Sequence, residues 1–133
     1  MNKSIVALKN LEQYIYKSNM IWKQRWITCF STNQHSTIIE QSMNDGIEEL
    51  ATLQNRIKHN LKDVRGKEML IISSKLIKII ELRIKAMQIV VENISIYEIG
   101  DEKKFNDLTE RISKVLNESE LIAQNIKLII RGR

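Results

Sequence analysis

Few residues in this chain are equipped for bond-making chemistry. The histidines are His35 and His59, and the single cysteine is Cys29. A thiolate beside an imidazole base makes a nucleophile. Cys29, however, continues an apolar helical stripe, where cysteine behaves as a small hydrophobe. His59 lies between Lys58 and Asn60 on a polar face and reads as solvated. A carboxylate-bridged metal bundle needs Glu-x-x-His on two helices, and neither histidine follows a glutamate by three residues. Zinc, phosphate-loop and dinucleotide signatures are absent as well. The acidic pairs Glu48-Glu49 and Asp101-Glu102 are sequence neighbours, so on a helix they diverge and cannot share one proton or metal. The expectation is a non-enzymatic protein with no catalytic, metal-binding or cofactor-binding residue.

Two groups of residues are better suited to binding. The first is the cluster Arg56, Lys58, His59, Lys62, Arg65 and Lys67. Its spacing rings a helix end rather than lining one narrow face. Such a ring contacts phosphates in a salt-sensitive way, or meets an acidic protein or an anionic membrane surface; the plainer alternative is a solvated loop. No short recognition helix accompanies it, so nucleic-acid contact would be to the backbone and not to base edges. The second group is Trp22-Lys23-Gln24-Arg25-Trp26. Trp22 and Trp26 are four apart and share a face. They form either the bulky end of a core, or anchors, with Arg25, for a partner or an anionic lipid interface. Tyr14 and Tyr16 add polar-tipped aromatics to the same segment.

The bulk numbers set the frame for these groups. In 133 residues, 21 are Lys or Arg and 16 are Asp or Glu, a formal charge of +5. At 43% hydrophobic and 28% charged, the composition is that of a folded domain. One cysteine excludes an internal disulfide framework, and no apolar run approaches bilayer length. Ile5 to Leu8 is cut short by Lys9, so no signal-peptide core forms. With the lone Cys29, this makes the cytoplasm the expected compartment.

The elements that must position these residues follow from the apolar spacing. Proline is absent, so nothing forces a helix to break. Ser31-Thr32-Asn33, Gly66 and Gly100-Asp101 divide the chain into four segments, predicted as helices at about 3–30, 34–65, 67–99 and 101–131. The first carries Ile5, Leu8, Leu11, Ile15, Trp22, Trp26 and Cys29, interrupted at Asn19. The second carries Ile39, Met43, Ile47, Leu50, Leu53, Ile57, Leu61 and Val64, with Gly46 inside it and Gly66 as its expected C-terminal glycine. The third is apolar around more than half its circumference, which requires helices around it. Its interleaved Lys75, Lys78, Glu81, Arg83 and Lys85 favour helix over strand. The fourth steps Phe105, Leu108, Ile112, Val115, Ser119, Ile122, Ile126, Ile129, a heptad seam. Gly100 closes one helix, and Asp101 with Glu102 opens the next.

Four long helices joined by short loops predict an all-α, antiparallel up-down-up-down bundle with coiled-coil-like packing, a single domain over 1–133. That topology gathers residues 1–15, 50–83 and 117–133 at one end, with thirteen cations and six acids. The remainder holds eight cations and ten acids. The functional expectation is an interaction or regulatory module that binds a protein partner and self-associates, a homodimer being the simplest form. The alternatives are a nucleic-acid accessory protein using the basic end and a membrane- or granule-surface coat using the first helix.

Overall fold

The computed structural model describes the backbone of residues 3–30, 36–63 and 65–131, and the side chains of residues 11–26, 36–63 and 65–131. The expected caps at Ser31–Asn33, the His35 and Val64 positions, and the side chains of Ile5, Leu8 and Cys29 lie outside these. Within them the chain is all α: α1 (Lys3–Phe30), α2 (Ser36–Leu61), α3 (Lys67–Glu92), the short α4 (Ser95–Ile99) and α5 (Glu102–Arg131). The four long helices form an antiparallel up-down-up-down bundle.

Cross-helix contacts fix the directions. Asn60 Nδ2 donates to the Tyr14 hydroxyl at 2.6 Å, and Arg25 pairs with Glu49. Numbers rise on α1 as they fall on α2, so the two are antiparallel. Gln54 Nε2 donates to the Ile77 carbonyl at 3.3 Å, while Gly46 lies against Met87, which sets α3 antiparallel to α2. Arg83 faces Glu120, and the Tyr97 ring meets Phe105 edge-on at 5.8 Å, which turns α5 back along α3.

α3 is the hub. It packs along both α2 and α5, whereas α1 rests chiefly on α2. Ile72, Leu76, Ile79, Ile80, Leu82, Ala86, Met87, Ile89 and Val90 are all buried. Each fully buried aliphatic of this size contributes about 1.5–3 kcal/mol. Beyond its exposed first turn and a half (Lys67, Leu70 and Ile71), what remains outside is one narrow exposed stripe, Ser74, Lys78, Glu81, Lys85, Gln88 and Glu92. Its 4-3-4-3-4 steps are one helix face. α5 buries Leu108, Ile112, Ser119, Ala123 and Ile126, while Val115, Ile122 and Ile129 sit half-buried at the edge. A straight 3.6-residue helix drifts against a 3.5-residue seam. Ala123, which the heptad leaves off its seam, therefore takes up a core position, and Leu116 packs half-buried against the core.

Three boundaries differ from the sequence expectation. α2 stops at Leu61, before a turn at residues 62–63, and does not run to 65. Gly66 is consequently not the glycine that closes α2. It is the N-cap of α3, at φ 101°, a region glycine enters without strain. The third helix is not continuous to 99: it breaks after Glu92 and resumes as the five-residue α4. Asn93 is the cause. Its side-chain Nδ2 bonds the Ile89 carbonyl at 2.8 Å, and its backbone N–H is shared between Ile89 and Val90. A side chain that bonds the local backbone in this way competes with helix continuation. At the α4–α5 turn, Gly100 adopts φ 72°, and Asp101 Oδ1 accepts the Lys103 and Lys104 backbone N–H groups at 3.0 and 3.2 Å. That is the predicted stop and start.

Gly46 allows α2 to approach α3 closely. A Cβ there would meet the Met87 Sδ and Cε at 2.8 Å and the Arg25 Cγ at 3.0 Å. Gly46→Leu is expected to lower the free energy of unfolding by about 1–3 kcal/mol through overpacking. Adding Met87→Ala should return part of that loss, measured by urea denaturation. Equal losses in both backgrounds would show that the site is not tight.

Candidate functional site

Trp22 is buried at 6% exposure, and its ring stacks on half-buried Trp26, centroids 4.9 Å apart and planes 24° apart. The pair thus caps the apolar interior between α1 and its neighbours. Arg25, between the two in sequence, pairs with Glu49 of α2. A half-exposed pair of this kind adds little stability, on the order of 0–1 kcal/mol, but it orders the wall of a groove.

That groove is a concavity of about 770 Å³ between α1 and α2. Its floor is Ile21 and Leu53, and Tyr16 and Met20 stand over it one helical turn apart. Tyr16 is 66% exposed, a large aromatic held out in solvent. The charges on the rim are sorted along its length. Asp45 and Glu48 lie toward one end, and Lys17 and Arg56 toward the other. Antiparallel packing produces this sorting, since Tyr14 lies opposite Asn60 and Arg25 opposite Glu49. Periodicity within one helix does not report such a groove, which needs two helices in register before it exists.

The basic residues are where the topology requires. Arg56, Lys58, His59, Lys62, Arg65 and Lys67 are all exposed around the α2–α3 turn. Arg56 turns into the α1–α2 groove, and Lys67 lines a shallower notch on α3. The six do not converge on one point. Arg83 does not belong to this surface: it is 2% exposed, although it counted among the cations of the basic end.

Arg83 instead occupies the middle of the bundle. It donates to the Ser18 hydroxyl of α1, and Glu120 of α5 lies 3.9 Å away. The Ser18 hydroxyl in turn donates to the Ile15 carbonyl at 3.0 Å, leaving its lone pairs toward the guanidinium. Burial pushes the Arg83 pKa below its ordinary value, and the Glu120 carboxylate pulls it back up. Arginine stays charged through such a shift. A signal for this was present. Leu76, Ile80, Arg83, Met87 and Val90 step 4-3-4-3 along one face of α3, so Arg83 sits on the buried seam. Ser18 fills the gap left by the interruption at Asn19, and Ser119 holds a heptad position.

No group of three or more His, Cys, Asp or Glu side chains is gathered among the described residues. No helix there is long and apolar enough to cross a membrane. No family model matches the chain, and no curated protein or solved structure matches it significantly.

The Arg83 centre makes a sharp expectation. Ser18→Ala removes a hydrogen-bond partner from a buried charge and should cost about 1–3 kcal/mol in unfolding free energy. Arg83→Met, of similar length and apolar, should be neutral or stabilising, and Ser18→Ala should then cost much less. A thermal-denaturation cycle over the four proteins checks this; additive losses would mean the two side chains are not coupled.

Proposed function

We propose that the chain is a non-enzymatic interaction module that seats a helical segment of a protein partner in the α1–α2 groove. The observation supporting this is the groove itself: an apolar floor of Ile21 and Leu53, overhung by Tyr16 and Met20 and rimmed by sorted charge. Amphipathic helices dock in such grooves through residues at i, i+3 or i+4, and i+7. From Asp45 to Arg56 the groove runs along α2 for about three helical turns. Tyrosine is a common energetic anchor at interfaces, and the unbranched thioether of methionine adapts to varied partner side chains. The rim also selects an orientation. A helix carries partial positive charge at its N-terminus and negative charge at its C-terminus. The partner helix would start near Asp45 and Glu48 and end near Lys17 and Arg56.

Self-association has its own supporting observation. From Ile72 onward the apolar face of α3 is already enclosed within one chain, and the buried side of α5 packs on α3. Outside them, Leu121 and Leu128 point away from the core at 66% and 69% exposure, one heptad apart on α5. Two leucines at that spacing fit a pairing seam with a second copy.

A photoreactive amino acid placed at Tyr16 or Met20 should yield a discrete protein adduct in cells. The same probe at Lys78, on the outer stripe of α3, should not. Met20→Glu should suppress the Tyr16 adduct. An adduct of twice the chain mass would identify a second copy as the occupant. Equal smears from all three positions, or no adduct at the groove, would refute the reading.

A further inference from the structure

We infer that the end of the bundle formed by the α2–α3 turn and the start of α3 docks on an anionic phospholipid surface. This surface adjoins the α1–α2 groove at Arg56 but does not depend on the reading of that groove. Residues 56–78 hold seven cations against two acids, so this segment alone accounts for a net charge equal to the +5 of the whole chain. Lys62, Arg65 and Lys67 are exposed around the turn, and the acids among them are Asp63 and Glu68. The first turn and a half of α3 then presents Leu70 and Ile71 outward, at 57% and 42% exposure. Together with Lys67, Ser74 and Lys75 they line a notch of about 500 Å³. Leu70 lies three residues beyond Lys67, about 4.5 Å along the helix axis, so cation and aliphatic side chains form one patch on the flank of the α3 start, where a basic and apolar face can lie on a lipid interface.

Charge and apolarity together select the partner. A nucleic-acid backbone would use the cations and leave two exposed aliphatic side chains without a role. An apolar protein surface would use the aliphatics and leave the cations unmatched. A bilayer containing acidic lipid takes both: phosphates for the lysines and arginine, and the acyl boundary for Leu70 and Ile71. The surface is also the end of a bundle, made of a turn and a helix start, and not a trough between two helices as a docked peptide would need.

The test is flotation of the full chain with phosphatidylcholine vesicles, with and without about one quarter phosphatidylglycerol. Binding is expected only with the acidic lipid. Lys62→Glu with Arg65→Glu should weaken it about tenfold or more. Leu70→Ser with Ile71→Ser should weaken it several-fold at unchanged net charge. Lys103→Glu with Lys104→Glu, the same charge change at the far end of the bundle, should leave it intact. Circular dichroism confirms that each variant is folded. Absence of binding to acidic vesicles overturns the inference. So does an equal loss in the far-end variant, which would reduce the effect to net charge. Unchanged binding in the Leu70 and Ile71 variant, with a short DNA duplex bound as tightly, overturns it in favour of a general polyanion site.

Discussion

The bundle depends on the enclosure of α3. This helix carries apolar residues on nearly every side and one guanidinium among them, so it must be surrounded and must also find Arg83 a partner. α2 and α5 supply most of the enclosing surface, and α1 supplies Ser18. The aliphatic contacts are not directional and would tolerate a shift of one helix against another with repacking. Arg83 would not tolerate it. Moving α1 by one residue turns its Ser18 hydroxyl about 100° around the helix axis and leaves a buried charge short of a hydrogen bond, which costs more than an apolar mismatch. Burial of an arginine thus adds little to stability and much to register, which is the best-attested use of buried polar groups. The groove between α1 and α2 inherits that register. Tyr16 and Met20 flank Ser18 on the same helix, so the contact that positions Ser18 also positions them.

Much of this architecture was legible in the sequence because it rests on periodicity. The stripes of the second and fourth segments, the near-complete apolarity of the third, and the Gly100-Asp101 stop and start each have one low-energy reading in a chain without proline. The exceptions share a cause: they are decided by one side chain's hydrogen bonds and not by a pattern. Asn93 breaks the third helix because its amide reaches the Ile89 carbonyl, and no period reports such a bond. Gly66 marks a boundary in either reading, but only the backbone shows that it opens α3 instead of closing α2. Arg83 was visible as a charge and, on its 4-3-4-3 seam, as a buried position. Composition treats every arginine as surface, and here the spacing was the better guide.

The candidate surfaces divide in the same way. The basic residues around the α2–α3 turn could be placed from topology alone, since antiparallel helices bring sequence-distant ends together. The α1–α2 groove could not. It needs Ile21 of one helix over Leu53 of another, and its shape comes from the relative rotation of the two helices. The tryptophans illustrate the limit. Their spacing placed them on one face but did not say whether that face looked inward. Burial of Trp22 places the indole inside and leaves Tyr16, four residues from Met20, as the exposed aromatic among the described side chains of the same helix.

The two surfaces are also compatible in one molecule. The bundle is long and narrow, the turn between α2 and α3 lies at one end, and the groove runs along the side from Arg56 toward Asp45. Engagement of the end by a flat anionic surface leaves the groove open and fixes the direction in which a bound helix would run. Arg56 lies where the two meet, lining the groove within the basic segment. A nearby anionic surface would draw on its charge and weaken its hold on the C-terminus of a helix in the groove. The coupling between the surfaces would then be electrostatic, pass through one side chain, and fall within about a Debye length as salt rises.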